Sequence, residues 1–158
     1  MTARAQNGSE RRIVVGVDGS EPSKAALSWA VAQARLTGAV VEAVIAWEVP
    51  ATYGYPVPVS GVDWGDLAQQ VLSEAIADVA DAAAPAKISY KVVEGNPAQA
   101  LVEESAGADL LVVGNRGHGG FVEALLGSTG QHCVHHATCP VVVIRDSGAG
   151  HRAEGGSR

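Results

Sequence analysis

Four glycines, Gly114, Gly117, Gly119 and Gly120, stand close together in the chain, and a second small-residue group, Gly127-Ser128-Thr129, follows them. Asn115, Arg116 and His118 are interleaved with the first group, so polar and cationic side chains accompany the glycines. Glycine tolerates positive φ and lets backbone amides approach a ligand closely. An apolar segment, Asp109 to Val113, precedes the run, and Ser128 to His136 reads as the start of a helix after it. Strand, glycine-rich loop and helix N-terminus form an anion site in α/β proteins, because orphan amides and the helix dipole both favour negative charge. The chemistry this implies is the holding of phosphate, and the function class is nucleotide binding. A bare tight connection after a buried strand is the alternative, although a simple βα turn rarely needs so many glycines.

Two familiar phosphate motifs are missing. No lysine follows the glycines, so the GxxxxGK[ST] pattern of P-loop NTPases is not met. GxGxxG fails as well, because Gly117-His118-Gly119 continues as Gly120-Phe121-Val122. Gly16 to Gly19, after the first apolar segment, does not match it either, which disfavours a dinucleotide-dependent dehydrogenase. No general base is placed by sequence beside the glycine run, and no lysine or paired carboxylates mark metal-assisted transfer. The residues suit holding phosphate rather than cleaving it.

The elements that must position this loop alternate along the chain. Arg12 to Val17 reads as a buried strand, Asp18-Gly19-Ser20 as the turn after it, and a helix then runs to about Leu36. Ser20 or Ser23 can cap that helix, Pro22 suits its first turn, and Gly38 suits its end. Val40 to Trp47 is a second strand, Glu48 to Val62 a long loop with three prolines, and Asp63 to Ala84 a second helix. Lys87 to Val93 reads as a third strand, Asn96-Pro97 as a cap and first helical residue, Leu110 to Val113 as a fourth strand and Pro140 to Arg145 as a fifth. Continuous apolar strands suit a parallel sheet covered on both faces. The fold expected is α/β, an open doubly wound five-stranded parallel sheet with helices on both faces, Rossmann-like in its winding. A switch point between the first and fourth strands would gather Asp18, Trp47 and Gly114 at one edge.

Bulk properties narrow the partners. The chain has 158 residues, 47% hydrophobic and 18% charged, with a formal net charge of −6. One domain over 11–145 is expected, between polar tails at 1–10 and 146–158. An acidic chain without a basic run disfavours nucleic acid and anionic membranes as partners. Apolar runs reach only about six residues, against the roughly 20 that span a bilayer. Residues 1–10 lack the apolar centre of a signal peptide. Cys133 and Cys139 are therefore expected as reduced thiols in a cytoplasmic protein.

The spacing Gly-x2-Gly-x9-Gly-Ser, carried by Gly114, Gly117, Gly127 and Ser128, is the distinctive pattern. With Val15 to Ser20, Ala108 to Gly114, Arg116-Gly117 and His135 to Val143, it resembles the universal stress protein family, in its ATP-binding branch, over about residues 11–145. The resemblance implies an adenine nucleotide α-hydrolase-like fold, ATP as ligand with or without magnesium, a regulatory role in stress response, and a homodimer through the strand Pro140 to Arg145. It implies that Asp18, in the turn with Gly19 and Ser20, contacts the ribose or adenosine end, and that backbone near Trp47 meets the base. Gly114, Gly117 and the intervening amides of Asn115 and Arg116, on through His118 and Gly119 to Gly120, would line the phosphates. Gly127, Ser128 and Thr129 would close on them. The chain departs from the family at Gly130, where serine is frequent, and at Trp47, where a small aliphatic residue often stands.

Several plainer readings stay open at this point. Ser128 and Gln131 fit a capping box. Asp18 could cap the first helix, and Arg116 could clamp phosphate or face solvent. His132, Cys133, His135, His136 and Cys139 are dense, and His132 and His136 share a helical face, as would His135 and Cys139 on a longer helix. Their spacing matches no common zinc pattern, so no metal is expected. The loop from Glu48 to Val62 could serve as a lid. Slow ATP hydrolysis or phosphoryl transfer involving Asp18 or His118, and a nucleotide-free dimeric scaffold, are the rival functions.

Overall fold

A computed structural model describes residues 10–49, 51–52, 55–56, 63–79, 87–116 and 126–145 of the chain. Its strands are β1 (Arg12–Gly16), β2 (Val40–Trp47), β3 (Ala51–Thr52), β4 (Tyr55–Pro56), β5 (Ile88–Glu94), β6 (Leu110–Gly114) and β7 (Val141–Ile144). Its helices are α1 (Glu21–Thr37), α2 (Trp64–Val79), α3 (Pro97–Glu104) and α4 (Ser128–His136). Five strands form a wholly parallel sheet in the order β5-β2-β1-β6-β7. The chain winds outward from β1 through β2 to β5, then crosses back to β6 and β7. The reversal falls between β1 and β6, as the doubly wound reading requires.

Strand alternation sorts the core into two layers. Ile13, Val15, Val41, Ala43 and Ile45 pack on one face beneath Leu27, Ala30 and Ala34 of α1 and Leu72 and Ala75 of α2. Val14, Val44, Leu111 and Val113 pack on the other against Leu101 of α3 and Cys133 of α4. Successive residues of β1 and β6 are thus apolar for opposite layers, which is why they read as unbroken apolar runs. β5 and β7 form the sheet edges and are only partly buried. Among the described residues, no helix is long and apolar enough to cross a membrane.

Capping fixes where the helices begin. Ser20 is the N-cap of α1, its Oγ accepting from Ser23 N, and Gly38 closes the helix in the left-handed region with its N–H on Ala34 O. Asn96 caps α3 by accepting from Gln99 N at 3.1 Å, with Pro97 as first helical residue. Asp63 Oδ1 accepts from Asp66 N at 3.0 Å at the head of α2. Residues 80–84 of the helix expected there lie outside the described residues. The first strand ends one residue early, at Gly16, and the third runs one further, to Glu94. Within the long loop, β3 and β4 pair as a short antiparallel ribbon that the sequence reading did not foresee.

Two measurements test this core. Leu72 is fully buried, and Leu72→Ala is expected to lower unfolding stability in urea by about 2–5 kcal/mol. Burial, with a smaller effect from Cys139, pushes the Cys133 thiol up from 9.0 to about 11. The unfolded chain ionises this thiol first, so its contribution to stability is intact below pH 9 and declines as pH rises toward 11. At pH 8 a thiol reagent is expected to reach Cys133 only after denaturant is added; rapid labelling of the native protein at this position would contradict the packing.

Candidate functional site

The crevice of a doubly wound sheet opens beyond the carboxyl ends of its strands, where the winding reverses. Here it is a cleft of about 230 Å³. Val44 and Ala46 of β2, Val113 of β6 and Leu101 of α3 supply its apolar wall. Its polar side chains are Asp18 after β1, Ser23 in the first turn of α1, Arg116 after β6, and Ser128 and Thr129 at the head of α4. The cleft thus offers both apolar surface and charged and hydroxyl side chains.

The start of α4 differs from the capping box that Ser128 and Gln131 suggest. Gly127 is the N-cap, it carries no side-chain cap, and Ser128 is already helical. Gln131 N donates to Gly127 O at 2.9 Å, and Gln131 Nε2 donates to Leu126 O at 2.9 Å. The glutamine therefore braces the backbone before the helix. With no side chain at the cap, the first-turn amides stand at the positive end of the helix dipole, on residues that line the cleft.

Backbone hydrogen bonds bring the two ends of the glycine-rich stretch together. Gly127 N donates to Asn115 O at 2.6 Å, and Asn115 N donates to Ile144 O at 2.8 Å. A Cβ on Gly127 would lie 3.3 Å from Arg116 Cα. Gly114 meets a different constraint. A Cβ there would lie 2.7 Å from the carbonyl carbon of Pro22, so the first turn of α1 sits directly on the end of β6.

Asp18, Gly114, Arg116, Gly127, Ser128 and Thr129 therefore share one cleft. Gly117, His118, Gly119 and Gly120 lie outside the described residues. Gly19, Ser20, Asn115 and Trp47 are not among the residues that line the cleft. Gly19 turns the chain with φ 86°, and Ser20 and Asn115 are buried. The period of two along β2 puts Trp47 on the α1/α2 layer, its ring within reach of Gly65 of α2, while Val44 and Ala46 face the cleft. Trp47 O accepts from Gly95 N at 2.7 Å. Val44, Ala46, Ser23, Pro97, Leu101 and Gly130 line the cleft without having been singled out from sequence as its walls. Alternation along β2 was the signal for Val44 and Ala46, and the Asn96-Pro97 helix start the signal for Pro97.

The histidine cluster lies elsewhere on α4. The rings of His132 and His136 are 4.4 Å apart, and those of His135 and His136 are 6.4 Å apart. α4 ends at His136, and Ala137 is extended, so His135 and Cys139 do not share a helical face. Cys133 and Cys139 are both free thiols. Among the described residues, no group of three or more His, Cys, Asp or Glu is placed to hold a metal.

A parallel sheet wound 3-2-1-4-5, with a cleft at the switch point and the N-terminus of α4 in its wall, defines an α/β protein of Rossmann-like architecture. The universal stress protein family profile matches residues 10–145, and the chain belongs to that family. The universal stress protein Rv2623 of Mycobacterium tuberculosis is 36% identical over 138 residues, covering 85% of this chain and 45% of the relative. The chain thus spans about half the length of its mycobacterial relatives. Universal stress protein MJ0531 of Methanocaldococcus jannaschii is 33% identical, with 85% and 82% of the two chains covered. Among solved structures, a universal stress protein in complex with cAMP is 30% identical at a TM-score of 0.66, covering 86% of this chain and 97% of the other. UspA of Lactobacillus plantarum is 25% identical at a TM-score of 0.64, covering 85% and 97%.

Substituting Gly114 by alanine tests the contact between α1 and β6. The Pro22 atoms in its way are backbone as well as ring, so the clash has no flexible side chain to relieve it. Gly114→Ala is expected to destabilise the protein by about 1–3 kcal/mol, read from urea unfolding, whether or not ligand is present.

Proposed function

We propose that the cleft binds an adenine nucleotide, ATP foremost, and that the protein is a nucleotide-dependent regulator in stress response rather than an enzyme. The observation that carries this reading is the N-terminus of α4, whose N-cap Gly127 has no side chain and whose first residues line the same cleft as Asp18. Phosphate oxygens accept from helix amides without a proton transfer, and the dipole adds to the attraction. Ser128, Thr129 and Arg116 supply further donors. Val44, Ala46 and Leu101 offer the apolar surface that a purine needs, and Asp18 accepts from ribose hydroxyls. The similar protein solved with cAMP supports an adenine nucleotide as the ligand class.

Regulation then follows from connectivity. The phosphate end joins β6 to α4, and Asn115, between them, is hydrogen-bonded to the end of β7. A ligand bound at this corner also acts on the edge strand β7, through which a second copy pairs in this reading. An unpaired parallel edge is otherwise open to nonspecific pairing.

The ligand released on denaturing the purified protein, identified by mass spectrometry, is expected to be an adenine nucleotide, and titration calorimetry is expected to show ATP binding. Arg116→Ala should weaken ATP by about tenfold or more, the range of a hydrogen bond to a charged group. A protein that carries no nucleotide and gives no heat with ATP would refute the reading. Steady-state ATP turnover abolished by Asp18→Asn would replace the regulator with an enzyme.

A further inference from the structure

The far end of α4 carries a different chemistry from the end that meets the cleft. His132 and His136 are four residues apart, so they stand one above the other on one helical face. Their ring centroids are 4.4 Å apart and their planes are tilted by 39°. The His135 ring is farther away, its centroid 6.4 Å from that of His136. Cys133, next to His132 in the chain, is wholly buried in the core beneath the helix. His132 is half-buried and His136 exposed, so the pair opens to solvent. α4 contains no Lys, Arg, Asp or Glu, and no fixed charge of its own competes for the two rings. His136 is the last helical residue, which places the pair at the negative end of the helix dipole, where a cation is favoured.

We propose that His132 and His136 form a two-histidine chelate for a divalent transition-metal ion of the nickel or copper class, with water completing the coordination. A neutral imidazole keeps one nitrogen lone pair to donate, and imidazole suits these ions. The register is the one by which HExxH helices present two imidazoles to zinc. Here Cys133, Val134 and His135 stand between them, so the glutamate base of that motif is replaced and the site is one of binding alone. The spacing also fits. Donor nitrogens about 2.0–2.1 Å from the ion, at right angles as in tetragonal coordination, put two ring centroids about 4.5 Å apart. The rings already stand at that separation, and turning them about their last torsion, which is soft, brings a nitrogen of each to one point. The helix itself need not move.

The test titrates the untagged full chain with nickel(II) by calorimetry, without nucleotide. Nickel is the probe because copper would oxidise the free thiols of Cys133 and Cys139. Wild type is expected to bind one ion per chain. At free nickel ten times Kd, its unfolding equilibrium constant in urea is expected to fall about tenfold. His132→Gln and His136→Gln each turn a chelate into a single ligand and are expected to weaken nickel by about tenfold or more, since loss of a mere supporting partner already costs that much. His135→Gln is expected to bind as wild type does. His136 is exposed, so His136→Gln keeps the test open should the half-buried His132→Gln fail to fold. Neither heat nor stabilisation with wild type overturns the site. A signal that survives in His136→Gln overturns it too, and an equal loss in His135→Gln overturns the assignment to this pair.

Discussion

The burial of β1 constrains everything else in this molecule. It is flanked by β2 and β6 and covered on both faces, with Val14 and Val15 wholly inaccessible. No polar side chain fits at its buried positions, Ile13 to Val15, without a partner to replace water. Polar chemistry therefore begins where the strand ends, at Asp18. The register of the neighbours puts their ends at the same level, with Gly16 opposite Val44 and Val15 opposite Val112. The connections after β1 and β6 leave in opposite directions, so a crevice must open between them. Its chemistry comes from whichever residues stand just past the last buried position of each strand.

The proposed anionic ligand, in a chain of net charge −6, would need local attraction to outweigh the global field. Distance decides the matter. At physiological ionic strength the Debye length is about 8 Å, so dispersed surface carboxylates act weakly on a group held in the cleft. The amides at the head of α4 act at hydrogen-bond range and are screened much less. None of the first-turn residues of α4 is acidic. Arg116 adds the cation in that wall. Global charge thus bears on solubility and encounter, and the helix N-terminus bears on binding.

The parts of this arrangement that sequence exposed were those governed by local rules. Arg12 to Val17 and Leu110 to Val113 read as buried strands because both their faces are apolar. Ser20 with Pro22, and Asn96 with Pro97, marked helix starts because capping chemistry is nearly residue-specific. Two features escaped. Ser128-x-x-Gln131 satisfies the letters of a capping box, yet any residue with extended φ and ψ can occupy the N-cap, and Gly127 does so. The ribbon β3–β4 has two residues per strand, too few to leave a periodic signal. Trp47 is a subtler case. Its place at the end of β2 was legible, but which face it takes depends on the phase of alternation, and that phase is set by Ala43 and Ile45 packing beneath α1 and α2. Leu101 and Ser23 reached the cleft through tertiary packing, which no spacing in the chain encodes.

The glycines of this region answer to more than one demand. Gly114 has no side chain because Pro22 occupies the space, a packing requirement that holds with or without a ligand. That close approach also places the Asp18 turn, which leads into α1, beside the end of β6. Helix packing and ligand geometry are thus coupled at one residue: whatever widens the gap between α1 and β6 also displaces Asp18 relative to the head of α4. The carboxylate at this junction is held by Ser20 as an acceptor rather than left mobile beside a water or hydroxyl. Its position beside the cleft is thus set by the same turn that starts α1.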